Sequence, residues 1–247
     1  FTKEIQRALL DGRVDLAVHS LKDLPTEPVE GLSLIATPPR EAVGDLLFTK
    51  TGVDLASLPQ GAVVGTGSTR RAAQLLSRRP DLKIAQIRGN VETRLAKLDA
   101  GEYDAIVLAQ AGVKRLQLLD RPHWVIPTST MLPAVGQGAL GLEARTGDLA
   151  TRKAVEPINH RETWASVLAE RAMLARLRAG CLAPVGAWGR DDEGVLRLDG
   201  VVLSSDGKKR IVATSWGDMN HPEALGVEVA HSLIAQGAMD LIASSKG

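Results

Sequence analysis

The chain has 247 residues, enough to bury a sizeable core in one to three compact units. Its 30 basic residues nearly cancel 29 acidic ones, for a formal net charge of +1, and no basic stretch is laced with aromatics, which argues against a nucleic-acid groove. One cysteine rules out an internal disulfide and suits a reducing compartment, most simply the cytoplasm; no apolar run approaches the roughly 20 residues needed to span a bilayer.

The opening FTKEIQRALLDG reads as the middle of a helix, with Ile5, Leu9 and Leu10 at helical spacing and Gly12 as a stop. It carries no secretory signal, and the reading is of a chain whose first elements are missing. The apolar runs VDLAVHS, LSLIATP, AVVGTG, KIAQIRG and YDAIVLA then alternate with helical stretches, the mark of a parallel sheet covered on both faces. RRAAQLLSRRP places Ala72, Ala73, Leu75 and Leu76 on a buried face and is closed by Pro80; VETRLAKLDAG does the same with Val91, Leu95 and Leu98 before Gly101.

Two punctuation clusters, around Pro38 to Asp45 and Pro133 to Gly138, read as crossings between lobes. A chain that leaves one lobe, builds a second and returns makes a cleft above a hinge, with ALGLEAR as the returning strand. The expected units are 1–41 with 134–156, then 42–133, then 157–247. In the last unit INHRETWASVLAERAMLARLRAG reads as a long helix, with Asn159 and Glu162 as a capping box and Trp164, Val167, Leu168 and Leu174 inward. Strands VGAWG, VLRLDGVVL and RIVATSW follow, with turns at Asp192–Gly194 and Asp206–Gly207, and Pro222 opens a last helix through Leu225, Val229 and Leu233. The predicted fold is α/β: two lobes with a cleft and hinge, plus a small C-terminal α+β domain with an antiparallel sheet.

Three places carry chemistry. GTGSTRR runs from a strand into a flexible turn, with Ser68 as a helix cap and Arg70 and Arg71 behind it. It lacks the GK[ST] of a nucleotide phosphate loop, and an ordinary capped helix with solvated arginines would look the same. The pattern recurs: RGNVETR brings Arg88 to a strand end and Arg94 into the first turn of the next helix, and Arg115 follows YDAIVLA. Strand ends of a parallel sheet face one crevice, and arginine there implies planar, bidentate anions such as carboxylates. VHSLKDLP also follows a strand, so Ser20, Lys22 and Asp23 face the same crevice. An aspartate among cations stays ionised and could meet a developing cation or move a proton; a turn aspartate before Pro25 is the plainer alternative. His19 reads as a core-packed strand residue rather than a base. The lone Cys181, in GCLAPVG, is either a small buried hydrophobe or an accessible attachment point; no histidine stands near it in sequence, and one cysteine cannot make a metal site.

VHSLKDLP, GTGSTRR, RGNVETRL, LPAVGQGA and GCLAPVG, in this order and spacing, resemble the porphobilinogen deaminase (hydroxymethylbilane synthase) family from Phe1 almost to the end. The resemblance implies three domains, the first two like periplasmic binding proteins, and a dipyrromethane cofactor held through a thioether on Cys181. It implies a monomer without metal that adds porphobilinogen units stepwise with loss of ammonia, then frees hydroxymethylbilane for haem and related tetrapyrrole synthesis. Asp23 matches the catalytic aspartate, thought to assist loss of the amine and to stabilise cationic intermediates. Arg70, Arg71, Arg88, Arg94 and Arg115 match acid-binding arginines, while Ser20, Lys22, Thr66, Ser68 and Gln137 match cleft-lining positions. The family's R-x-S-x-L-A opening segment and lid are absent before Phe1, where an organellar targeting peptide would also stand. Its D-P-R-D-A stretch reads AVGDLL here, keeping Asp45 but with Gly44 in place of arginine, and Gly67 stands where serine is usual. The competing reading is a two-lobed, non-catalytic receptor for a carboxylated small ligand.

Overall fold

The computed structural model describes residues 2–180 and 183–245. Helix α1 (Thr2–Leu10) turns Gln6 and Leu9 inward and ends at Gly12, whereas Leu10 stays largely exposed because Leu9 takes the core position. Strands β1 (Ala17–Ser20) and β2 (Leu32–Ala36) follow, and the chain then crosses to a second lobe. That lobe comprises β3 (Asp45–Phe48), β4 (Val63–Gly65), α2 (Thr69–Arg78), β5 (Lys83–Ala85), α3 (Val91–Asp99), β6 (Ala105–Ala109), α4 (Gln110–Arg115) and β7 (His123–Ile126). The chain returns through β8 (Leu140–Arg145) and α5 (Leu149–Val155). The last unit holds α6 (Arg161–Arg176), β9 (Val185–Asp192), β10 (Val195–Leu203), β11 (Arg210–Gly217), α7 (Pro222–Ala235) and α8 (Ala238–Ser244). Among the described residues no helix is long and apolar enough to cross a membrane.

The sheets correct the expectation of a wholly parallel first half. In the second lobe the order is β5-β4-β6-β3-β7; β4 is parallel to β5 and β6, but β3 runs antiparallel to both β6 and β7. In the first lobe the returning strand β8 lies between β1 and β2, antiparallel to each. The physical reason is topological. A strand delivered through a helical crossover must return parallel, whereas β3 and β8 arrive from the opposite lobe and are free to run the other way. The C-terminal sheet, β11-β10-β9, is antiparallel as predicted.

The two crossings lie side by side. Glu41 N–H donates to Gly138 O at 2.9 Å, Arg40 Nε to Gln137 O at 2.9 Å, and the Gln137 amide to Val43 O at 2.7 Å. The C-terminal unit packs α6 and α7 on one sheet face, with Ala169, Met173, Leu225, Val229 and Leu233 against Leu198 of β10. The inner stripe of α6 is therefore Ala165, Ala169, Met173 and Leu177, at i, i+4, i+8 and i+12; Trp164, Leu168 and Leu174 are only half-buried. Its cap differs too. His160 Nδ1 accepts the Thr163 N–H, while Asn159, expected as the cap, uses Oδ1 to accept the N–H of Thr37 in the first lobe. Gly237, in a left-handed conformation, separates α7 from α8, an interruption the sequence pattern had not indicated.

Candidate functional site

The first-lobe wall of the cleft is a single 3₁₀ turn, Leu21–Asp23, at the end of β1. Leu21 is buried, its N–H donates to Ala139 O at 3.0 Å, and Leu24 N–H closes the turn on Leu21 O at 3.2 Å. With Leu21 inward, Lys22 and Asp23 are left facing the cavity. The Lys22 pKa is lowered, first by desolvation against the cleft walls and then by the Arg71 charge. His19 is buried and hydrogen-bonded to Glu143 at 2.9 Å, in keeping with a core residue.

The facing wall is the start of α2. Thr66, buried after β4, accepts the Ser68 N–H at 3.2 Å, and Ser68 Oγ in turn caps the Arg71 N–H at 3.4 Å. Arg70 and Arg71 thus occupy the second and third helical positions, where the helix dipole opposes a cation. The structure supplies a counter-charge that the motif alone did not reveal: Asp45, 1% exposed at the start of β3. Its Oδ1 accepts from Arg71 Nε at 3.1 Å, Arg71 Nη2 at 2.7 Å and Gln137 Nε2 at 3.0 Å; its Oδ2 accepts from Arg70 Nη2 at 2.8 Å. Burial pushes the Asp45 pKa up, but the two guanidiniums outweigh it and hold the carboxyl below its ordinary value.

The arginines are therefore not solvated, and neither do they reach outward as free forks. Arg70 Nη1 donates to Leu132 O at 2.6 Å and Arg71 Nη1 to Val107 O at 3.0 Å. Two buried cations share one carboxylate, which leaves a net positive floor. Arg70 Nε is buried without an acceptor, a cost of about 1–3 kcal/mol that a ligand oxygen or a water would remove.

Lys22, Asp23, Ser68, Arg70, Arg71 and Gln137 line one cavity of about 630 Å³, within the range of small-molecule sites. The C-terminal unit closes it with Arg171, Leu174, Gly180, Ala183 and Val185. Cys181 lies outside the described residues; its described flanks, Gly180 and Ala183, are both in the lining. Ser20 ends β1 exposed and does not line this cavity.

The expected convergence of five arginines is only partly met. Arg94 is half-buried beside the floor, its Nε donating to Gly89 O at 2.8 Å and its pKa lowered by desolvation and by Arg71. Arg88 and Arg115 are exposed and do not line the cavity. Arg88 stands three residues beyond edge strand β5, and Arg115 lies at the far end of α4, about 9 Å along the helix axis from the end of β6. Three further residues escaped the motif search: Arg171, Glu170 and Arg40. Arg40 and Glu170 form a buried ion pair at 2.6 Å beneath the crossings. Their legible signal was limited to charged residues interrupting apolar stretches.

A dipyrromethane carries an acetate and a propionate on each ring, so it offers several carboxylates and two flat apolar faces. The cavity answers both, with Lys22, Arg70 and Arg71 as cations, an unsatisfied donor on Arg70, and apolar wall from Leu24, Val135 and Leu174. The donor set fits the group.

These features define a class: a two-lobed α/β protein with a cationic cleft at its crossings, closed by a third unit. The chain belongs to the porphobilinogen deaminase family. Residues 1–153 match the porphobilinogen deaminase dipyromethane cofactor binding domain, and residues 164–235 match the porphobilinogen deaminase C-terminal domain. It is 51% identical over 243 residues to the porphobilinogen deaminase of Desulforudis audaxviator, covering 98% of this chain and 79% of that one. The Thermus thermophilus porphobilinogen deaminase is 49% identical over 244 residues, covering 98% and 81%. Among solved structures, an arginine-specific periplasmic binding protein of Salmonella typhimurium aligns with a TM-score of 0.38 at 14% identity, over 62% of this chain and 67% of that one. That likeness is too slight to bear on the argument.

Proposed function

We propose that the cleft between Lys22–Asp23 and Arg70–Arg71 is where porphobilinogen units are joined head to tail on a dipyrromethane held through a thioether on Cys181. Porphobilinogen deaminases are transferases that condense four such units, release ammonia and yield the linear tetrapyrrole hydroxymethylbilane. Family membership at about half identity over 98% of the chain assigns that reaction here. Each addition breaks the C–N bond of an aminomethyl group and forms a C–C bond to a pyrrole α-carbon, which gives up its proton. The bound dipyrromethane supplies the acceptor ring on which the product grows.

The chain's own residues have distinct tasks in this reading. Asp23, presented on its turn into a cationic cleft, hydrogen-bonds the leaving amine and takes up the pyrrole proton. Lys22, Arg70 and Arg71 hold carboxylate arms, with Gln137 and Ser68 fixing the arginine pair and Thr66 fixing Ser68. Arg94 extends the cationic surface from Arg71, and Ser20, Arg88 and Arg115 meet later units of the growing product. The units are 1–41 with 134–156, 42–133 and 157–247, acting as a monomer, and a reducing cytoplasm keeps the thiol available for attachment.

The observation that carries the reading is one cavity bounded by Asp23, by the Asp45-bridged arginines and by both described neighbours of Cys181. Intact-mass measurement tests it. The isolated protein should exceed its sequence mass by a dipyrromethane, and Cys181→Ser should lose that increment together with ammonia release from porphobilinogen. An unmodified, folded protein that binds carboxylated ligands without releasing ammonia would establish the receptor reading instead.

A further inference from the structure

We infer that Arg171 is a positioning residue for this reaction, fixing the turn that presents Asp23 to the unit that contains Cys181. The inference rests on the reading of the cleft given above. Arg171 lies on α6, and its fork spans the backbone just after Asp23: Nη1 donates to Leu24 O at 2.9 Å and Nη2 to Pro25 O at 2.7 Å. At its start the same turn is held by Leu21 N–H to Ala139 O and by its own backbone bond, Leu24 N–H to Leu21 O, both before Asp23 leaves it. One guanidinium therefore sets where the segment leaving Asp23 can lie.

Arg171 is not an ordinary ion-pair partner. Among the described residues no carboxylate lies within ion-pair distance of it, and its pKa is lowered by desolvation, with Glu143 opposing. A desolvated cation whose visible partners are two carbonyls is a costly way to hold a surface loop, and its side chain also lines the cavity. The preceding residue, Glu170, accepts the Gly136 N–H at 2.7 Å. Adjacent residues of one helix thus grip the Asp23 turn and the second crossing. The Asp23 turn and α6 are in this way held to one frame, so their separation does not depend on how far the lobes open.

Two substitutions in the full-length holoprotein test this. Arg171→Lys keeps the charge but cannot bridge two carbonyls with a planar fork. It should lower kcat ~10-fold or more with KM changed by less than about threefold, because misplacing a reacting group costs turnover rather than binding. The dipyrromethane mass and the Tm should stay near wild type. Arg171→Ala should lose more, and millimolar guanidinium ion should restore part of its kcat while restoring none to Asp23→Asn. A wild-type kcat in Arg171→Lys overturns the inference. So does a raised KM with unchanged kcat, which would make Arg171 a substrate-binding cation, and so does a variant that fails to fold, which would make it a strut. A wild-type protein without dipyrromethane or ammonia release sinks the reading of the cleft before any variant is made.

Discussion

Glu170, fully buried, and Arg40 meet in a two-pronged ion pair, Oε1 to Nη1 at 2.6 Å and Oε2 to Nη2 at 3.1 Å. The same carboxylate accepts the N–H groups of Gly136 at 2.7 Å and Gly189 at 2.8 Å. One side chain of α6 therefore ties the first crossing, the second crossing and strand β9 at a single point. The Glu170 side chain has no exposed surface, and that of Arg40 is 9% exposed. The hinge between the lobes is thus anchored from outside both of them.

Removing one partner of such a pair strands a buried charge, which costs about 3–5 kcal/mol. Glu170→Gln should reduce the free energy of unfolding by that order, measured by urea titration. Arg40→Met should cost a similar amount, and the double variant less than the two single losses added, because the second change removes a charge already stranded. Additive losses would mean that the two residues act on different elements.

Asp45 sets the acid limit of the site. Its folded pKa is held below the ordinary carboxylate value despite the opposing effect of burial, because Arg70 and Arg71 favour the charged form. Such a group stabilises the fold fully above its unfolded pKa, about 4, and loses that contribution as pH falls toward the lower folded value. Unfolding free energy should therefore fall with pH below about 4 more steeply in wild type than in Asp45→Asn, which should be less stable at neutral pH. The variant should also weaken porphobilinogen binding, since the two guanidiniums lose the acceptor that orients them. An unchanged acid slope in Asp45→Asn would remove Asp45 from this role.

Local patterns proved legible where one short segment decides the structure. Ser68 caps α2 and the Asp23 turn follows β1 into the cleft, both as their residue types and spacing predict. What the pattern could not show is pairing across distance. Asp45 lies 25 residues from Arg70 and Gln137 lies 92 from Asp45, so nothing local signals that they share a carboxylate. Strand direction fails for the same reason: β3 and β8 look like any other apolar run, and only the crossings that deliver them make them antiparallel. Likewise Asn159 and Glu162 have capping-box spacing, yet Asn159 is engaged by Thr37 of another lobe, which moves the helix start past it. Periodicity placed the arginines after strands, but it did not tell a strand end in the middle of the sheet from one at its edge, which is where Arg88 departs from the cleft.

The closeness of the two crossings makes a sharp demand on Gly138. Its φ is +83°, a region that costs a residue with a side chain about 1–2 kcal/mol. A Cβ there would sit 2.5 Å from Glu41 O and 2.9 Å from Ala42 O, both rigid backbone atoms of the opposite crossing. Strain and collision act together, so Gly138→Ala should cost about 3 kcal/mol or more, beyond the strain alone. The crossings can relieve the collision only by separating, which breaks the Glu41 N–H to Gly138 O bond and shifts Gln137 away from Asp45. Turnover should fall even at temperatures where the variant remains folded, because Arg70 and Arg71 then lose part of the set that orients them. Gly147, where an added Cβ meets nothing within 4 Å, provides the control. Gly147→Ala should be neutral or stabilising by up to about 1 kcal/mol. Equal effects at the two glycines, measured by thermal unfolding and by ammonia release, would show that the crossings do not constrain the site.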